Sequence, residues 1–171
     1  MSGRANGPEA EPGVHVALVA PQIPWNTGNV GRTCLAAGAH LHLVRPLGFS
    51  LDDRYLKRAG LDYWPHVRPR IWPSWRAFEA VLPGLAEPYF FSAEAERDLW
   101  SARFPARVAL IFGSETAGLP RQVRHRYSDR LLAIPMRRGP VRSLNLSTSV
   151  AVALFEVARQ RATAHRRPTP P

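Results

Sequence analysis

Lysine is almost missing from this 171-residue chain: Lys57 is the one lysine among 23 basic residues, set against 13 acids for a formal net charge of +10. Cysteine is as scarce. Cys34 stands alone, so no intrachain disulfide can form, and a reducing, cytoplasmic setting is expected. No apolar run approaches the ~20 residues of a membrane helix. The stretch Val14–Ala20 is far shorter, and His15 interrupts it. Met1–Glu11 carries Arg4, Glu9 and Glu11 and lacks the apolar segment of a secretory signal. Twelve glycines without a G-X-Y period exclude a collagen-like chain. A G-x-x-x-x-G-K-[ST] phosphate loop, a G-x-G-x-x-G fingerprint and a G-x-S-x-G nucleophile elbow are all absent. His40 and His42 alternate along one strand and share a face, but no Cys/His cluster at ligand spacing accompanies them, so no metal is expected.

What is present is apolar material and arginine. Apolar residues make up 45% of the chain, enough for a core. Arginine forks onto phosphate and stacks on bases, which lysine does not. Arginine-rich codon usage would give the same totals, so placement says more. Residues 121–142 hold Arg121, Arg124, Arg126, Arg130, Arg137, Arg138 and Arg142 against one acid, Asp129. Residues 54–76 hold six cations against Asp62. Such clusters are either solvated faces or the footprint of a polyanion partner. On the second reading Arg121, Arg124, Arg137, Arg138 and Arg142 are the candidate contacts to that polyanion.

Apolar runs and turn residues alternate strand with helix. Strands are expected at His15–Ala20, Leu41–Val44, Tyr89–Phe91, Val108–Phe112 and Arg130–Ile134. Helices are expected at Gly28–Ala37, stopped by Gly38; at Asp52–Ala59; at Ser74–Leu82, capped by Ser74; at Leu119–Tyr127, with Pro120 in its first turn; and at Leu146–Arg161. That order predicts an α/β fold, a mostly parallel sheet with helices on both faces. Residues 1–12 read as a disordered lead-in, 13–162 as one domain and 163–171 as a basic, proline-rich tail. Cys34 lies among alanines in a helix and reads as core, not nucleophile.

Three loops at strand ends stand out, where α/β sheets bind ligands. The first is Pro21–Arg32, crowded with amides. Asn26 would serve there as a helix cap and Gly28 as a tight bend, which leaves Arg32, one turn into the helix, unexplained. The second is Phe112–Pro120, whose Gly113 and Gly118 would let backbone approach a ligand closely. The third is Ile134–Ser147, basic and then polar, and long for a small domain.

Taken together, N-T-G-N-x-x-R, then F-G-S-E-T-x-G-L-P, then I-P-M…S-L-N-L-S-x-S-V-A-V-A-L-F-E closely resemble the SpoU (TrmH-like) branch of the SPOUT RNA 2′-O-methyltransferases over residues 14–160. The stretch Gly48–Tyr63 further resembles the group that methylates the wobble nucleotide, cytidine or uridine 34, in the anticodon loop of tRNA. The resemblance implies a deep C-terminal trefoil knot, S-adenosyl-L-methionine as cofactor, tRNA (its anticodon stem-loop) as substrate and a homodimer whose active sites use both subunits. Carried over by motif, it implies cofactor contacts at Phe91, Gly113, Ile134, Ser143 and Leu144, and a catalytic Arg32 with Asn26, Glu115, Ser143 and Asn145 around it. The family proposal makes the arginine the base. A guanidinium pKa above 12 makes it a poor one, so an orienting or charge-stabilising role stays open, with Glu115 or water taking the proton. A sister specificity for another tRNA or ribosomal RNA site, and a non-catalytic RNA-binding module, are the competing readings. The apolar residues Val150, Ala151, Val152, Leu154 and Phe155 cover more than one face of the last helix, which also points to a homodimer.

Overall fold

The computed structural model of the chain describes residues 13–51, 63–137 and 139–165. The expected lead-in, the helix expected at Asp52–Ala59, most of the Gly48–Tyr63 stretch, Arg138 and the last six residues of the expected tail lie outside the described residues. Six strands, β1 (Val14–Val19), β2 (His40–Val44), β3 (Arg70–Trp72), β4 (Glu87–Phe91), β5 (Val108–Phe112) and β6 (Leu131–Leu132), form one sheet in the order β3-β2-β1-β5-β4-β6. Every pairing is parallel. The helices are α1 (Pro24–Ala37), α2 (Trp64–Val67), α3 (Trp75–Leu85), α4 (Arg121–Arg126) and α5 (Leu146–His165). Among the described residues no helix is long and apolar enough to cross a membrane.

The strands alternate between two cores. Val14, Val16 and Leu18 of β1, with Leu41, Leu43, Leu110 and Phe112, pack against α1, α2 and α5 through Val30, Cys34, Trp64, Val150 and Leu154. Ala17, Val19, Val44, Phe90 and Ile111 face the other way, onto Phe78 and Leu82 of α3 and Val123 of α4. Strands buried on both faces read as continuous apolar runs, as V-A-L-I-F in β5 does. Cys34 is core, and burial pushes its thiol up to about 12.

Several boundaries differ from the sequence expectation. Helix α1 begins at Pro24, not Gly28, because a proline fits the first turn, where no intrahelical N–H bond is lost. Ile23 therefore occupies the cap position and Asn26 lies inside the helix. Pro120 is the cap residue of α4, which is shorter than expected. A 3₁₀ turn at Ser128–Arg130 consumes the start of the expected Arg130–Ile134 strand, leaving only Leu131 and Leu132. Helix α3 runs through Pro83 to Leu85, and α5 runs on to His165, into the expected tail. The sequence reading missed α2 and β3, four and three residues long and rich in Trp, Pro and Arg. Ser74 caps α3 as expected, accepting from the N–H of Ala77 at 3.2 Å. Gly38 closes α1 with a left-handed φ of 66°.

On the α3 side of the sheet, His15, His40 and His42 form a cluster of rings, with centroids 5.2 Å apart for the His15–His42 and His40–His42 pairs. Among the described residues no group of His, Cys, Asp or Glu is arranged to hold a metal ion. The Trp72 indole, which can only donate, gives its N–H to Nδ1 of His42 at 3.0 Å. That places the His42 proton on Nε2, which faces Nδ1 of His15 at 3.1 Å. Burial, then the neighbouring His15, His40 and Arg70, push His42 down to about 3. A histidine held neutral in the folded state stabilises it above the ordinary histidine value near 6.5, and that contribution is lost as pH falls toward 3. Unfolding free energy should therefore drop below pH 6.5 by up to about 1.4 kcal/mol per pH unit from this group. Thermal unfolding at pH 7.5 and 5 checks this, and His42→Gln should show a shallower acid loss. Equal slopes in the two proteins would contradict it.

Candidate active site

The chain leaves β1 toward β2 but leaves β5 toward β6, so the neighbouring carboxyl ends of β1 and β5 form a topological switch point, where a crevice opens. β1 ends sharply: Ala20 takes a left-handed φ of 52°. The loop that follows then starts α1 with no side-chain cap of its own. The missing cap comes from the loop after β5. One Glu115 oxygen accepts from the N–H of Gln22 at 2.8 Å; the other accepts from the N–H of Ile23 at 3.1 Å and from Nδ2 of Asn26 at 3.0 Å. A carboxylate at the positive end of a helix is also favoured by the helix dipole. Burial alone would push the Glu115 carboxyl up, but the hydrogen bonds from Asn26 and from the main chain at Gln22, Glu115 and Ile23 outweigh it and hold the group below the usual carboxylate range.

The third loop joins through Asn26, whose Oδ1 accepts from Nδ2 of Asn145 at 2.9 Å. Asn145 in turn caps α5, its Oδ1 accepting from the N–H and the hydroxyl of Ser147 at 2.9 and 2.8 Å. A chain of polar contacts thus runs Ser147–Asn145–Asn26–Glu115 through all three loops. Thr116 adds a bond to Oε1 of Gln22 at 2.7 Å. Sequence reasoning missed Gln22, Thr116 and Ser147, since their partners are set by the fold and no local motif marks them.

Beside this network lies a cleft of about 720 Å³. Phe91, Gly113, Ile134, Ser143 and Leu144 all line it, together with Asn26, Glu115 and Asn145. Phe91 and Phe112 stack at its apolar base, with centroids 4.5 Å apart and planes 9° apart. Gly113 also has a reason for being glycine within the chain: a Cβ there would lie 1.9 Å from the Gly118 carbonyl carbon. The tight turn that brings this about is closed by reciprocal main-chain bonds between Ser114 and Gly118 at 3.1 and 2.9 Å.

Arg32 does not line this cleft. It stands eight residues past the start of α1, in the third turn instead of the first, ~12 Å along the axis. It is exposed, on a stripe with Trp25, Asn29 and Leu35. The arginine cluster is also less uniform than the sequence suggested. Arg124 lines the cleft but is paired with Glu94. Arg126 pairs with Glu79 and Arg130 with Glu87 and Asp129. Among the described residues Arg121, Arg137 and Arg142 form no ion pair, and all three are exposed; of these only Arg142 lines the cleft.

The family model described as SpoU rRNA Methylase matches residues 13–155. The chain belongs to this family. Within it, the chain is similar to a tRNA (cytidine(34)-2'-O)-methyltransferase of Burkholderia cenocepacia, 45% identical over 148 residues that cover 85% of this chain and 94% of the relative. A structure solved for the 2-OH methylation of C/U34 on tRNA superposes with a TM-score of 0.81 at 51% identity, covering 88% of this chain and 97% of the other. An AdoMet-bound rRNA methyltransferase from Sinorhizobium meliloti superposes with a TM-score of 0.72 at 26% identity, covering 91% of this chain and 57% of its own. In this SpoU-family chain the polar network sets the shape of the cleft. Glu115→Gln, which turns an amide N–H₂ toward N–H donors, should lower unfolding free energy by ~1–3 kcal/mol. Urea unfolding measures it, and unchanged stability would mean that the loops are held together by something else.

Proposed function

We propose that the chain transfers a methyl group from S-adenosyl-L-methionine to the ribose 2′-hydroxyl of the wobble pyrimidine, nucleotide 34, in the anticodon loop of tRNA. The observation that carries this reading is the kinship, over 85% of this chain and 94% of the relative, with an enzyme named for cytidine 34. The cleft suits the cofactor: stacked phenylalanines offer an apolar face to a purine, and the polar turns at Gly113 and Ser143–Leu144 offer main-chain groups to the rest. When bound, the cofactor supplies an electrophilic methyl on sulfonium; the 2′-oxygen forms the new O–C bond as the C–S bond breaks and the hydroxyl proton leaves. The protein's task is alignment and charge stabilisation.

Glu115 already accepts three N–H bonds and is held as a carboxylate of low basicity. We therefore assign it the task of holding Asn26 and the loops, and we leave the proton to water. Arg32 is assigned the stabilisation of charge at the attacking ribose and its phosphate. Because it lies away from the cleft of its own subunit, the reading includes a homodimer in which the partner's Arg32 completes the site. The exposed apolar residues of the neighbouring helices α1 and α5 support that pairing: Trp25 is 57%, Phe155 52% and Leu35 41% exposed. Exposed Arg121, Arg137 and Arg142 are the RNA contacts in this reading, and binding should weaken steeply with salt. The trefoil knot formed by the β5–α5 segment, one domain over residues 13–162 and a cytoplasmic site of action complete the assignment.

Mass mapping of tRNA after incubation with enzyme and cofactor should find one methyl, on the ribose of nucleotide 34. A methyl in the D-loop or only in ribosomal RNA would move the chain to a sister specificity, and binding without transfer would leave it a binding module. Arg32→Ala should cut turnover by at least about 100-fold while cofactor affinity by calorimetry stays within about threefold. Near-normal turnover would remove Arg32 from the site. Light scattering at micromolar concentration should give the mass of two chains, and an active monomer would refute the shared site.

A further inference from the structure

Arg32 is exposed, yet it rests on a built platform. Its guanidinium carbon lies 4.6 Å from the centroid of the Tyr63 ring, within the range of cation–π attraction. The same tyrosine donates its hydroxyl hydrogen to the carbonyl oxygen of Gly28 at 3.0 Å. Gly28 and Arg32 are four residues apart on α1 and so lie one above the other on the same face. Tyr63 thus grips two successive turns of α1, one through its edge and one through its face. Small residues make the approach possible. A Cβ on Gly31 would already stand 3.0 Å from Cζ3 of Trp64 and 3.1 Å from Cγ2 of Val67. Both side chains are buried and belong to α2, the short helix that begins directly after Tyr63.

We infer that Tyr63 is the positioning residue for Arg32, its ring fixing the guanidinium and its hydroxyl fixing the ring. The inference rests on the assignment of Arg32 to the transferring site. A long side chain that must be ordered in the transition state reacts faster when it is ordered beforehand. The way it is ordered matters as well. A carboxylate partner would neutralise the guanidinium and occupy its N–H edge. An aromatic face holds it through the plane, so its five N–H donors stay available to ribose and phosphate. Gly31 of N-T-G-N-V-G-R thereby acquires a purpose: it admits the segment that carries the ring.

Methyl transfer to tRNA by Tyr63→Leu should fall about tenfold in kcat, with the KM for cofactor unchanged, and Tyr63→Phe should recover most of that loss. A structural role alone would instead show in both variants as lowered unfolding temperature without the split between kcat and KM. In the unsubstituted protein, NMR should find the Arg32 side-chain protons, assigned through Arg32→Lys, shifted upfield by the ring current. That measurement stands even if Tyr63→Leu does not fold, and unshifted resonances would overturn the inference. Arg32→Ala run in parallel separates the two claims. If it stays active, the assignment of Arg32 fails; if it is inactive while Tyr63→Leu turns over normally, only the role of Tyr63 fails.

Discussion

Glu115 accepts, on its two carboxylate oxygens, from three N–H groups in the loop and first turn that open α1, some ninety residues earlier in the chain. The geometry of the cleft follows from that arrangement. A partly buried carboxylate loses hydration, and three donors at the helix entrance offset that loss: the N–H of Gln22, the N–H of the cap residue Ile23, and the side-chain amide of Asn26. Helix α1 needs an acceptor and Glu115 needs donors, so each removes the other's cost. Asn26, held on one side by Glu115, is free to accept from Asn145 on the other, and the start of α5 is thereby joined to the same point.

The sheet was legible because burial on both faces leaves its strands uninterrupted. V-A-L-I-F and H-L-H-L-V cannot be anything but interior, and glycine or proline ends most of the runs. The residues of the cleft were legible as motifs, but their reasons were not. Gly113 read as a ligand-facing glycine and does line the cleft, but the sequence did not show that the chain's own backbone, five residues on, also crowds it. Asn26 looked like a cap, whereas Pro24 had already begun the helix. Both reasons were hidden for one cause: the deciding contact lies outside the local motif, or depends on where a helix starts, and a local pattern records neither. The short elements α2 and β3 were invisible for a related reason. They carry no periodicity, and docking on α1 and β2 holds them in shape.

Charge shows the same limit. Seven arginines within 121–142 suggest a uniform basic surface, yet Arg124, Arg126 and Arg130 lean on acids from α3, β4 and the turn after β4. Those acids are scattered along the sequence and come together only in the fold. Among the described arginines of this segment, Arg121, Arg137 and Arg142 are left without an acid, two of them in the loop that leads into α5. The local density of one sign of charge measures what the fold must compensate as much as what it presents.

Cys34 sits in the core between α1 and the sheet, and burial holds its thiol protonated well above physiological pH. Thiolate is the form that reacts with maleimides and disulfides. For the spectroscopist the molecule therefore behaves as though it had no cysteine at all. A single cysteine introduced on the surface would take a fluorophore or spin label at that place, with the native thiol left in and no compensating substitution in the core.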